Sequence, residues 1–177
     1  MPDPEPASGP ERIRRGIDRV LNWGERISAG GAVLALLGIV LVVLFQITAR
    51  YALPKSPVWT EELSRYLFAY AIVLGAAAVI IRRRHVRLEL FQHKLSPRAA
   101  AILRIASHLL VAIFAILMLP HAWDYAANGS RQTSPTLGIR LTWIFASTVF
   151  FFALVLASSL LLAARDALGL ISAPETK

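Results

Sequence analysis

ISAGGAVLALLGIVLVVLFQITA, residues 27–49, contains 23 residues and no charged side chain. As a helix rising 1.5 Å per residue it is about 35 Å long, enough to cross the roughly 30 Å hydrocarbon layer of a bilayer. RYALPKSPVWTEELSRY follows (residues 50–66), then a second apolar run that stops at RRRHVRLEL (residues 82–90). A soluble core does not place its charges in such blocks. The stretch fixes the class as an all-α membrane protein.

The rest of the chain repeats the pattern. Hydrophobic residues make up 56% of the 177, concentrated in four blocks, Ile27–Ala49, Tyr66–Ile81, Ile105–Trp123 and Leu141–Ala164. With their polar margins they give four spans at about 27–49, 60–81, 99–123 and 141–164. Little is left beyond an N-terminal arm, short loops and a tail, so residues 11–177 form one membrane domain. Residues 1–10, with four prolines, two acids and a glycine, are too polar to order themselves.

The formal charge of +8 raises the question of nucleic acid, and its distribution answers it. Five arginines lie in Arg12–Arg26, seven Lys/Arg in Arg82–Arg104 and two after the fourth span, while the two other loops hold three and two. The positive-inside rule therefore places both termini in the cytoplasm. The basic residues fall where topology needs them and lack an aromatic platform for bases, so no nucleic-acid partner is expected. There is no cysteine, which excludes disulfides, thiolate metal sites and thiol nucleophiles. The first span is too long for a signal-peptide core and is expected to stay as an uncleaved anchor.

Between residues 11 and 26, Ile13, Ile17, Val20, Leu21 and Ile27 fall near helical spacing, with Arg12, Arg15, Arg19 and Arg26 elsewhere on the wheel. This pattern predicts a short amphipathic helix on the cytoplasmic membrane surface. A solvated arm is the plainer alternative. Ser56-Pro57 is a plausible start for the second helix, and Val86, Leu90, Phe91 and Leu95 predict a second interfacial helix over 85–95. Arg82, Arg83, Arg84, His85 and Arg87 would anchor that inner end among phospholipid headgroups, and Arg104 would snorkel to the same level.

Charge near membrane depth is the first place to seek function. Glu61 and Glu62 precede Arg65 by four and three residues, spacings that let either carboxylate meet the guanidinium on a helix surface. They are read as polar fasteners, with Glu62 and Arg65 as the pair; an ion relay would need further carboxylates, and the middles of the spans have none. His108 and His121 share the third span but stand about 140° apart on the wheel and nearly 20 Å apart along it, which speaks against a haem or metal pair. No catalytic motif appears, and neither enzyme activity nor a cofactor is expected. Small-residue stripes (Gly31, Ala35, Gly38; Ala71, Gly75, Ala78; Ala146, Ala153, Ala157) permit close helix approach, inside the bundle or against another chain.

At Arg50-Tyr51, Trp59-x-Glu61-Glu62-x-x-Arg65, Gly75 and the arginines running into His85, the chain resembles the small membrane subunit (Q-type, DctQ-like) of tripartite ATP-independent periplasmic (TRAP) transporters. The resemblance covers about forty residues specifically and otherwise rests on size, four spans and cytoplasmic termini. It implies a non-catalytic inner-membrane subunit that pairs with a large multi-span membrane subunit carrying substrate and sodium. A periplasmic binding protein would deliver the substrate by transient docking. The small subunit would scaffold the stationary part of an elevator, for uptake of an organic acid or similar solute. Arg50, Tyr51, Trp59, Glu61, Glu62, Arg65 and Gly75 would then serve the structure of the subunit or its interface with the large partner. A stand-alone, homo-oligomeric four-helix exporter is the alternative from another class; it calls for an essential carboxylate well inside a span.

Overall fold

A computed structural model describes residues 9–54, 57–82 and 97–171 of the chain. Four long helices dominate: α1 (Gly9–Ala52), α2 (Trp59–Arg82), α3 (Pro97–Asn128) and α4 (Thr142–Ile171), with a 3-10 turn at Gly129–Arg131 after α3. All four are long and apolar enough to cross a membrane. Helices suit these segments because hydrocarbon offers no partner for backbone N–H and C=O groups, and a helix satisfies them internally. Of the expected disordered tail over residues 1–10, Gly9 and Pro10 instead begin α1, proline being tolerated in a first helical turn, while residues 1–8, the helix start at Ser56 and the interfacial helix over 85–95 lie outside the described residues.

The helices are longer than the apolar blocks that announced them. Pro120 sits inside α3, which continues past it to Asn128. The amphipathic arm and the first span are one uninterrupted helix of 44 residues. At 1.5 Å per residue α1 is about 66 Å long, beyond the 40–45 Å of a bilayer with its headgroups.

The apolar face of the arm does not lie on one surface. Leu21 is 2% exposed and packs with Ile81 and Leu162, with Ile17 and Leu161 beside them. Ile13, Val20 and Ile27 remain exposed. The difference from the expected interfacial helix is physical: with no proline between residues 11 and 52, α1 runs on through its glycines, and its Ile17–Leu21 edge meets the ends of α2 and α4.

Two helix pairs make up the architecture. α1 packs along α2, α3 along α4, and α4 joins the pairs by touching α2 and α1. Among the described residues α3 meets no helix other than α4 and the 3-10 turn. The result is an open slab rather than a closed bundle. In their most apolar stretches the inner helices α2 and α4 are 22% buried, the edge helices α1 and α3 only 11%.

Small residues set the α1–α2 contact. A Cβ on Gly31 would stand 2.9 Å from Leu74 Cδ1, one on Gly38 3.2 Å from Leu67 Cδ1, and one on Gly75 4.0 Å from the Ala32 Cβ. Ala35, Ala71 and Ala78 are buried in the same seam. The stripes of the first two spans thus face each other. On α4, by contrast, Ala153 and Ala157 are exposed.

Candidate functional site

The acidic-basic stretch at the start of α2 builds the site. Arg50 and Tyr51 end α1 and are exposed, while Trp59 opens α2 with its ring 5.9 Å from that of Phe45. Thr60 is fully buried and donates from Oγ1 to the Pro57 carbonyl at 2.7 Å, fixing the entry to the helix.

One turn on, the two glutamates part. Glu61 pairs with Arg65 at 3.1 Å, four residues away, with side chains 68% and 71% exposed. Glu62 points the other way, so the expected Glu62–Arg65 pair is not formed. Its Oε1 accepts from the Tyr66 hydroxyl. Its Oε2 accepts from the Thr136 hydroxyl and from the backbone N–H groups of Thr136 and Leu137, each at 3.2 Å. A carboxylate receiving several donors is held far more firmly than one in an exposed ion pair.

What Glu62 grips is the connection between α3 and α4. An isolated antiparallel bridge joins Thr133 to Arg140, and Ser134 N–H donates to Ile139 O at 2.8 Å. The turn closes through Gly138 at φ 66°, a conformation that favours glycine, and Leu137 N–H donates to the buried Ser134 Oγ at 3.0 Å. Below it, Gly129 is buried where a Cβ would meet the Thr142 backbone nitrogen at 2.7 Å. Tyr70 on α2 adds a second tie, its hydroxyl donating to the Trp143 carbonyl. Glu62 of the Trp-x-Glu-Glu-x-x-Arg stretch, with Tyr70 two turns on, therefore clamps the first helix pair to the second.

Above α4, between α2 and α3, the slab leaves a cavity of about 530 Å³. Tyr70, Trp123, Trp143 and Phe150 rim it, with Ala146 and Ala153 among its lining residues.

The opposite end, where α1 and α3 begin and α2 and α4 finish, is rich in charge. Arg82 lies 3.8 Å from Glu25 of the arm and is 83% exposed. Arg83, Arg84, His85 and Arg87 lie outside the described residues. Arg104 is turned inward: its Nε is 3.2 Å from Asp166 Oδ2 on α4, and the pair is 26% and 15% exposed. Arg104, read from the sequence as a snorkelling residue, thus forms an ion pair that ties α3 to α4. His108 Nε2 stands 3.8 Å from the same oxygen, and Arg165 Nε is 2.7 Å from Asp18 on α1. Because that contact joins the first and last helices, the two described ends of the chain lie on one side of the slab.

His108 and His121 go to different partners, His121 Nδ1 lying 3.1 Å from the Leu117 carbonyl of its own helix. Among the described residues no group of three or more His, Cys, Asp or Glu comes together as a metal site.

Comparison with known proteins places this architecture. Residues 39–169 match the family described as tripartite ATP-independent periplasmic transporters, DctQ component. The chain belongs to this family. The DctQ match reaches from the middle of α1 nearly to the end of α4 and so includes the clamp. The chain is 33% identical over 128 residues to the sialic acid TRAP transporter small permease protein SiaQ of Vibrio cholerae, covering 71% of each protein. It is 30% identical over 108 residues to a putative TRAP transporter small permease protein of Haemophilus influenzae, covering 61% of this chain and 66% of that one. A third relative, the sialic acid TRAP transporter permease protein SiaT of Haemophilus influenzae, is 24% identical over 129 residues, which is 73% of this chain but 20% of that protein. With four apolar helices, this DctQ-family chain is a multi-pass inner-membrane protein of the TRAP small permease type.

Thr136, Leu137 and Asp166 were not singled out from the sequence. Glu62 and Thr136 are 74 residues apart, and no periodicity links them. Asp166 carried a readable signal: a lone acid near the end of an apolar span calls for a cation at the same depth, and Arg104 stands about as far inside its own span.

Proposed function

We propose that this chain is the non-catalytic small permease subunit of a sodium-driven TRAP uptake transporter for an organic acid or similar solute, with both termini in the cytoplasm. It forms part of the stationary frame against which the moving part of a large membrane subunit works. The open slab carries this reading. A protein whose most apolar helical stretches are at most 22% buried within itself presents broad faces to lipid and to a membrane partner, and it has no mid-span acid with which to move a substrate alone. The SiaT relative adds support, because there a segment similar to this chain makes up one fifth of a longer permease. The clamp serves the same role by holding both helix pairs in register. It also presents the ordered loop 132–141 at the outer surface, where a periplasmic binding protein would dock transiently.

The test is purification of the tagged chain in mild detergent after co-expression with the membrane proteins encoded beside it. Recovery of a roughly one-to-one complex with a large, many-span protein is expected. A stable homo-oligomer free of such a partner would overturn the scaffold reading in favour of a stand-alone exporter.

A further inference from the structure

Arg131 and Arg140 are the two basic residues of the connection between α3 and α4, on the side where the positive-inside rule leaves fewest. Both are exposed, and neither forms an ion pair among the described residues. The acids of this end are placed otherwise: Glu61 holds Arg65, Glu62 holds the turn, and Asp124 is exposed on α3 two turns before Arg131. Backbone pairing brings the two arginines to the neck of one loop. Gln132 N–H donates to Gly129 O at 3.2 Å, Leu141 N–H donates to Gln132 O at 3.0 Å, and Thr133 bridges Arg140. Ile139, next to Arg140, is 41% exposed. Because Glu62 and Gly138 already fix the loop, a partner that docks on it pays little for ordering it.

Depth selects the kind of partner. From Arg104, paired with Asp166 at the opposite end, the chain rises about 40 Å to Arg131, about 10 Å more than the hydrocarbon layer. A headgroup layer of about 5–8 Å ends below the neck, so the guanidinium groups face water and soluble proteins rather than lipid phosphate. An exposed isoleucine beside arginines suits a protein interface, whose centre is apolar and in which arginine is enriched.

We infer that loop 132–141, with Arg131 and Arg140 at its neck, is a docking surface for a carboxylate-bearing patch on a soluble periplasmic protein. The inference rests on the uptake reading above, in which that protein is the substrate-binding protein. Opposite charges on the two surfaces speed their encounter without making the complex long-lived, as transient docking requires.

The test titrates the co-purified membrane complex, immobilised in nanodiscs, with the binding protein encoded beside it and reads association by biolayer interferometry. Arg131→Glu and Arg140→Glu reverse the charge, Arg131→Lys and Arg140→Lys keep it, and Ala52→Glu adds a negative charge at the exposed end of α1, off the loop. Each reversal is expected to weaken association about tenfold at low salt, while the lysine variants and Ala52→Glu stay within about twofold of wild type, and wild-type association falls as salt rises. Wild-type affinity in both reversals, or equal loss in Ala52→Glu, overturns the docking assignment and leaves the uptake reading standing. A wild-type complex that does not associate with the binding protein at any salt overturns both.

Discussion

Glu62 and Arg65 show how little a shared helix face says about partnership. Both sit on one side of α2, yet Arg65 takes the exposed Glu61 while Glu62 holds the backbone of residues 136 and 137. Glu62→Ala takes the carboxylate acceptor from the Thr136 N–H and hydroxyl, leaves Leu137 N–H with Ser134 Oγ alone and frees the turn, whereas Arg65→Ala removes a solvated ion pair of little energetic consequence. The loop itself supplies the readout, because trypsin cleaves after Arg131 and Arg140, which bracket the gripped turn. Cleavage there is expected to quicken severalfold in Glu62→Ala and to keep its native rate in Arg65→Ala. Equal rates in both variants would show that the carboxylate does not order the loop. The Trp-x-Glu-Glu-x-x-Arg stretch was legible as a polar fastening because charge at a membrane entrance is costly. What it fastens was not, since a side chain meeting a backbone 74 residues away leaves no trace in spacing.

At the scale of elements, the four spans could be read directly, because lipid demands long apolar helices and little else competes with that signal. The arm was harder. Ile13, Ile17, Val20, Leu21 and Ile27 make an amphipathic pattern that suits either a membrane surface or a neighbouring helix, and composition does not separate the two. The structure divides them, with Leu21 buried against Ile81 and Leu162 and Val20 exposed. Leu21→Ala should therefore destabilise the chain by about 2–4 kcal/mol, as expected when a well-packed leucine is truncated. Val20→Ala should cost well below about 1 kcal/mol, as changes away from packed sites generally do. Reversible unfolding in mixed detergent micelles measures both. Similar small losses would mean that the arm rests on the membrane surface, independent of the bundle. The small-residue stripes divide in the same way. Those of α1 and α2 are used internally around Leu67 and Leu74, while Ala153 and Ala157 of α4 face outward, a distinction that depends on which helices become neighbours.

For the whole molecule, the order of helices across the slab matters more than their number. Among the described residues α4 touches the three other long helices while α3 touches only α4 and the 3-10 turn, which leaves two gaps over α4, one toward α2 and one toward α1. A cavity occupies each of those gaps, lined by aromatic rings and alanines at the loop end and by arginines and Asp166 at the arm end. The apolar one has aromatic rims and small alanines in its lining, a shape into which a helix of the large partner can seat closely without a driving force from water. Ala153 is exposed within it, so Ala153→Phe fills the groove without disturbing contacts inside the slab. The variant is expected to insert in the membrane at the normal level and to recover the large partner severalfold less well in co-purification. Ile113→Phe, at an exposed position of α3 outside the lining, provides the matched control and should leave recovery unchanged. If Ala153→Phe also recovers the partner in full, the groove faces lipid. The frame contact then lies on the other side of the slab or along its α1 edge, and the same substitution carried to exposed positions there, beginning with Leu34 and Leu41, locates it.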